Sequence, residues 1–226
     1  MKEKKRKKIK NKINKIIDIK VGVPVETIHF DNMTLPLKHP FTATMSGPTG
    51  CGKTMSVFKL IEHADKMIVP SPKKVMYCYG EYQPIFAEYP NVVFNEGLPD
   101  ISQFDGREPT LLILDDLMDA TNESVSAIFT RVSHHRNVSV IYITQNIFPR
   151  NKFARTISLN SHYMILFKNP RDAGQFATLA RQMYPEGSTF AIEAFKDATS
   201  APYGYLLVDM KPDTDERHRL RGASWF

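Results

Sequence analysis

The 226-residue chain has only two cysteines, one tryptophan and no run of eighteen or more apolar residues. Cys51 sits in a glycine-rich turn and Cys78 in an apolar run. The pair has neither metal-ligand spacing nor the density of a disulfide framework, so both are expected as plain reduced thiols. The missing apolar run leaves no candidate for a membrane-spanning helix. The lysine-rich start lacks the apolar stretch and small-residue cleavage site of a secretory leader, so the expectation is a soluble, intracellular protein. No internal repeat occurs, and outside the first residues no low-complexity tract. With 42% hydrophobic residues the chain can bury one substantial core, and its length favours one domain over two.

The formal net charge of +6 is unevenly placed. Residues 1–20 hold ten of the 30 Lys and Arg and two of the 24 acids, which makes this arm +8 and leaves −2 on the remainder. The basic character therefore describes a tail and not the folded body. "KEKKRKKIKNKINKIIDIK" could contact phosphates, act as a nuclear address, or lie on an anionic surface through Ile9, Ile13, Ile16 and Ile17 on one helical face. A solvated leader is the plain alternative. The expected organisation is a flexible basic arm over 1–20 and a single domain over 21–226.

Past the arm, "VETIHF" and "PFTATMSG" read as short strands broken by Pro36 and Pro40. Apolar runs rich in β-formers recur at "KVMYCYG", "TLLILDD", "VSVIYITQN", "HYMILFK" and "YGYLLVDM". Helical patterns lie between several of them. "GKTMSVFKLIEHAD" places Met55, Phe58, Leu60 and Ile61 at helical spacing. "NESVSAIFTRVSHHR" is a second helix with Asn122 as cap and Glu123 against the dipole, and "NPRDAGQFATLARQMYP" a third with Asn169 as cap and Pro170 at its first position. Continuous apolar strands alternating with helices predict an α/β fold, a mostly parallel sheet covered on both faces.

"GPTGCGKT" matches G-x-x-x-x-G-K-[ST] between a predicted strand and a predicted helix. Gly47, Pro48, Thr49, Gly50, Cys51 and Gly52 form a loop whose glycines let successive N–H groups converge on phosphate oxygens. Lys53 would reach the β- and γ-phosphates of ATP and Thr54 would give its hydroxyl to Mg²⁺, with the helix dipole aimed at the anion. "TLLILDDLMD" is a buried strand ending in Asp115 and Asp116. Asp115 would polarise the Mg²⁺, and Asp116 could take a proton from the attacking water. A third strand ends in Thr144, Gln145 and Asn146, and Gln145 could orient that water and sense the γ-phosphate. Of Arg131, Arg136, Arg150, Arg155 and Arg171, one could serve as a transition-state guanidinium for a neighbouring subunit, the others being surface charges. His134 and His135 have no further ligand at metal spacing and read as capping or solvated.

Taken together, "SGPTGCGKT", "YCYGEYQPIF", "FNEGLP", "LLILDDLM", "VIYITQNIFP" and "LFKNPRD" resemble the viral genome-packaging ATPases of the FtsK/HerA superfamily. The similarity extends over about residues 40–210, to the small packaging ATPases of Polinton/Maverick elements, adintoviruses and virophages, which are related to the poxvirus enzyme. It implies a RecA-like P-loop core and a homo-oligomeric ring, a pentamer or hexamer, with ATP at subunit interfaces. It also implies translocation of double-stranded DNA into a preformed capsid at its portal vertex, in the virion or in the host nucleus or cytoplasm. By position, Lys53 and Thr54 bind phosphate and Mg²⁺, Asp115 and Asp116 form the second acidic motif, Gln145 is the polar sensor, and Arg136, or else Arg131, is the trans arginine. Many relatives carry Glu where this chain has Asp116, which leaves open its role as base.

Three other readings use the same loop. A GTPase is disfavoured because "DLM" follows Asp115 where D-x-x-G is needed, and no N-K-x-D occurs. A nucleotide kinase shares the loop but does not need an Asp-Asp pair beside a Gln-tipped strand. A DNA-associated accessory protein could use ATP only as an assembly switch.

Overall fold

The computed structural model describes residues 35–115, 117, 122–133, 136–148 and 154–223. The basic arm, the strand expected at "VETIHF", Asp116, His134, His135 and Arg150 lie outside them.

In chain order, β1 (Leu37–Lys38) leads through Pro40 into β2 (Thr42–Ser46), whose five residues are all buried. The glycine-rich turn follows and opens α1 (Lys53–Glu62), where buried Ser56, Val57, Phe58 and Leu60 form the inward face. A short α2 (Ala64–Met67) and β3 (Ile68–Val69) precede β4 (Lys74–Tyr79) and β5 (Val93–Glu96). Next comes β6 (Thr110–Asp115), apolar on both sides until its last residue. Helix α3 (Asn122–Ala127) continues as a π-helical turn over Ile128–Val132 and delivers the chain to β7 (Val138–Thr144). Then follow α4 (Ala154–Leu159), β8 (Tyr163–Phe167), α5 (Ala173–Met183), α6 (Ser188–Ala198), β9 (Tyr205–Asp209) and β10 (Leu220–Ala223).

Eight strands form one sheet in the order β10-β9-β8-β2-β7-β6-β4-β5. The six from β8 to β5 run parallel, and β9 and β10 are antiparallel additions at one edge. The expected α/β architecture, a mostly parallel sheet covered by helices on both faces, is the one the chain adopts. The strand that feeds the glycine-rich turn is central, and β7 separates it from the strand that ends in Asp115.

Side-chain alternation sorts the core onto two faces. On one, Ala43, Met45, Leu111, Ile113, Ile141 and Ile165 meet Val57, Phe58 and Leu60 of α1 and Met67 of α2. On the other, Leu112, Leu114 and Val140 pack under α3 and α4, while Met164, Leu166, Leu206 and Val208 pack under α5 and α6. Between these two clusters β2 presents Thr42, Thr44 and Ser46. Thr44 Oγ1 lies 2.7 Å from Ser161 Oγ, Ser161 Oγ donates to the Ile157 carbonyl at 2.9 Å, and Thr42 Oγ1 donates to the Asn160 carbonyl. Small hydroxyl residues thus let the end of α4 approach the central strand with its polar groups satisfied.

Two helix starts differ from expectation. Asn169 does not cap α5: its Oδ1 accepts from Arg171 N at 3.1 Å, its carbonyl accepts from Asp172 N at 3.2 Å, and the helix begins only after Asp172. An Asn side chain bonding two residues ahead offers the backbone a turn in place of a helix, and that local bond won here. Asn122 is itself a helical residue of α3 rather than a cap preceding it. Strands β5 and β10 and helix α6 have no counterpart in the patterns singled out in the sequence.

At the antiparallel edge Arg221 Nη2 donates to Asp209 Oδ2 at 2.9 Å and Nη1 to the Leu35 carbonyl at 2.9 Å, with both charged side chains buried. Burial pulls the Arg221 pKa down and the Asp209 carboxylate opposes this. Asp209→Ala would strand the guanidinium in the core and is expected to cost about 3–5 kcal/mol, read as a lowered midpoint in urea unfolding. The double replacement Asp209→Leu with Arg221→Met should recover most of that loss.

Candidate active site

At the C-terminal rim of the sheet Ser46 is level with Thr144, and Asp115 is level with Ile143 on one side and Tyr79 on the other. Two strand spacings, about 10 Å, separate the end of β2 from the end of β6. Over this gap opens a cleft of about 470 Å³, a size that suits a small-molecule ligand. It is lined by Thr49, Gly50, Gly52, Lys53, Thr54 and Met55 from the turn and α1, by Asp115, by Ile143, Thr144 and Gln145 of β7 and its end, and by Gln83 and Tyr203.

The turn is held tightly to the sheet. A Cβ on Gly47 would stand 2.6 Å from Cys51 Sγ and 2.7 Å from Phe167 Cβ, so only hydrogen fits there. Gly47 N donates to the Thr144 carbonyl at 3.3 Å, and Gly52 adopts φ 100° as it enters the helix. No side chain caps α1, so its first-turn N–H groups face the cleft without a side-chain acceptor, as an anion site requires. Lys53 Nζ donates to the carbonyls of Gly47 at 2.6 Å and Pro48 at 3.0 Å. Five of the eight turn residues line the cleft. Gly47 and Pro48 support Lys53 from below, and Cys51 packs against the core. Burial pushes the Cys51 thiol up against the opposing charge of Lys53, and that of Cys78 to about 12, so both remain protonated at neutral pH.

Asp115 is buried at the tip of a strand of leucine and isoleucine. Its carboxylate accepts a hydrogen bond from Tyr77 Oη at 2.5 Å. Tyr77 sits diagonally across on β4, the reach that a long aromatic side chain covers between neighbouring strands. Burial first, then the Asp115 charge, raises the phenol's pKa far above its ordinary value, while a hydrogen bond with Thr54 opposes the shift. One phenol thus touches both oxygen groups assigned to Mg²⁺ from the sequence. Thr54 and Asp115 fit a magnesium ion of this kind, which takes one or two protein oxygens and fills its shell with phosphate and water. No group of three or more His, Cys, Asp or Glu is poised for a metal among the described residues.

Gln145 is exposed at the cleft. The chain just past it is fixed by Gln175 of α5, whose Oε1 accepts from Ile147 N at 2.7 Å and whose Nε2 donates to Asp172 Oδ2 at 2.5 Å. Arg136 is not in the cleft. It precedes β7, a strand about 20 Å long that separates it from Gln145, and its Nη1 donates to the Phe104 carbonyl at 2.7 Å. No arginine lines the cleft among the described residues. Sequence reasoning missed Gln83, Tyr203, Tyr77 and Gln175. Gln83 and Tyr77 border or lie in "YCYGEYQPIF", but nothing local marks which of its polar groups turn inward.

No family model and no curated protein matches this chain. Among solved structures it is similar to the genome packaging NTPase B204 of Sulfolobus turreted icosahedral virus 2 in complex with ATP-gammaS, with 13% identity, a TM-score of 0.48, and coverage of 77% of this chain and 94% of that one. A KaiC-like protein of Pyrococcus horikoshii OT3 gives 14% identity and a TM-score of 0.42 over 63% of this chain and 81% of its own. The Legionella pneumophila ATPase DotB gives 14% and 0.40 over 63% of this chain and 46% of its own. These likenesses are distant, and the assignment of the site residues rests on their geometry.

Tyr77→Phe keeps the ring and removes the donor to Asp115. Stability is expected to fall by about 1–3 kcal/mol in urea unfolding, because a hydrogen bond to a buried carboxylate is lost.

Proposed function

We propose that the protein is an ATP-driven motor that moves double-stranded DNA into a viral capsid. The observation that carries the ATPase part is the convergence of Lys53, Thr54, Asp115 and Gln145, from three elements, on one cleft at the uncapped start of α1. In this reading the turn amides and Lys53 hold the triphosphate, Thr54 and Asp115 hold its Mg²⁺, and Gln145 orients the attacking water. Asp116, next to Asp115 in sequence, is the proposed base. The packaging part is supported by the resemblance carried by "VIYITQNIFP" and "LFKNPRD" together. These two segments are in contact through Gln175, which bonds the Ile147 amide of one and Asp172 of the other.

The motor works as a homo-oligomeric ring of five or six subunits, each cleft completed by its neighbour, at the portal vertex of the capsid. Arg136 supplies the trans guanidinium, with Arg131, exposed on the π-helical turn, as the alternative. Such a group contributes roughly 10³ to 10⁵ in rate.

The test is ATP turnover with and without duplex DNA, alongside a measurement of particle mass. Stimulation by duplex DNA in a particle of several subunits is expected. Tight ATP binding with no DNA-stimulated turnover would replace the motor with an assembly switch.

Lys53→Ala is expected to abolish nucleotide binding or hydrolysis, and Arg136→Ala to spare binding but stop turnover. Mixing the two variants should restore part of the activity, because a mixed interface pairs an intact loop with an intact arginine. Co-assembly without recovery would remove Arg136 from the mechanism.

A further inference from the structure

Tyr203 and Asn137 are the two non-glycine residues with positive φ among the described residues, at 60° and 52°. Asparagine tolerates this region, whereas for a bulky aromatic it is uncommon. The surroundings impose it. The turn from α6 to β9 is closed by Thr199 N to the Phe195 carbonyl at 3.0 Å, Ser200 N to the Asp197 carbonyl at 3.2 Å and Gly204 N to the Ala201 carbonyl at 3.2 Å. A Cβ on Gly204 would stand 2.4 Å from the Ala198 carbonyl oxygen, so the backbone just after Tyr203 is pinned against the end of α6.

This conformation sends the ring across to the phosphate loop. Tyr203 Cδ1 lies 3.1 Å from where a Cβ on Gly52 would be, and its Cγ 3.6 Å. The ring therefore borders the first turn of α1, yet the residue is 49% exposed and lines the cleft. Met55, also on the cleft wall, is another of the few exposed large apolar residues. The lining of the cleft thus includes two exposed apolar side chains, Tyr203 and Met55, besides the polar Lys53, Thr54, Asp115 and Gln145. A triphosphate uses only the polar ones. An aromatic held in a disfavoured backbone region, beside the phosphate loop and still open to solvent, is an outlier of the kind that clusters at ligand clamps.

We propose that Tyr203 is the stacking platform for the base of the bound nucleotide. The inference rests on the nucleotide reading of the same cleft and adds the residue that recognises the part of the ligand beyond its phosphates. Because every base has a π-face, the platform favours nucleotides over bare polyphosphate and discriminates little among bases.

The experiment is calorimetric titration of the full-length chain with Mg-ATP and, separately, with Mg-tripolyphosphate, for the wild type and for Tyr203→Ala, Tyr203→Phe and Tyr203→Gly. The expected result is a loss of about ten- to a hundredfold in ATP affinity for Tyr203→Ala, with tripolyphosphate affinity unchanged and Tyr203→Phe near the wild type. Tyr203→Gly accepts the positive φ without strain, so it separates folding from binding and should show the same ATP-specific loss. Equal losses for both ligands, or no loss for either, would make Tyr203 a structural residue and overturn the proposal while leaving the phosphate site intact. Wild-type protein that binds neither ligand would overturn the nucleotide reading itself, and this inference with it.

Discussion

The carboxylate of Asp115 is the group on which the rest of the site depends. It ends a strand of leucine and isoleucine and is itself buried, a placement that costs free energy unless the charge is hydrogen-bonded. Tyr77 supplies such a bond, and the core holds Tyr77 in place. Phe58 of α1 stacks on it at 5.4 Å with the rings 2° from parallel, and Phe86 and Phe94 close in at 5.2 and 5.7 Å. Phe58 lies one helical turn after Thr54, on the same face. The helix that the glycine-rich turn opens therefore also packs the phenol that hydrogen-bonds the acid. Core packing and site geometry are here one set of contacts.

The sheet order gives this arrangement its third member. Because β7 lies between β2 and β6, whatever emerges from its end stands between the phosphate loop and the acid, and Gln145 is that residue. The chain is tied on both sides of Gln145 in sequence. The Thr144 carbonyl accepts from Gly47 N, and two residues beyond Gln145 the Ile147 amide is held by Gln175. A displacement of the Gln145 peptide is thus resisted by the loop on one side and by α5 on the other. The residues of "KNPRD" are structural partners of the segment that follows Gln145: Asn169 shapes the turn into α5, and Asp172 orients the Gln175 amide.

Much of this was legible in the sequence because it is local. The strand, turn and helix around Lys53, and the apolar run ending at Asp115, are carried by consecutive residues whose spacing has a direct physical meaning. The parallel sheet followed from the same runs, since strands buried on both faces lose their alternation. What escaped was what depends on contacts between distant segments. Tyr77 and Asp115 are 38 residues apart and meet only because β4 and β6 pair in one register. Gln175 reaches Ile147 across 28 residues, and Tyr203 reaches Gly52 across the sheet. The start of α5 was misplaced for the opposite reason, a bond confined to Asn169 and Arg171 that outcompeted the helix. Strand β5, with Val93 exposed on its edge, lacks the burial that would have given it an apolar pattern.

The charge balance of the cleft bears on assembly. Among the described residues Lys53 is the one cation lining it, set against the carboxylate of Asp115. A nucleoside triphosphate carries several negative charges, and its Mg²⁺ offsets only part of them. In the proposed reaction, charge that develops on the transferring phosphoryl group calls for a further donor, fixed in place where water is excluded. Arg136 cannot supply it to its own cleft, because the length of β7 separates the two and its guanidinium is engaged with the Phe104 carbonyl. That same position, on the rim opposite the phosphate loop, is where a side chain of one subunit can face a loop of the next when the copies pack head to tail, as heterologous contacts around a ring do. A trans arginine and a ring are therefore not independent proposals: the first needs the second.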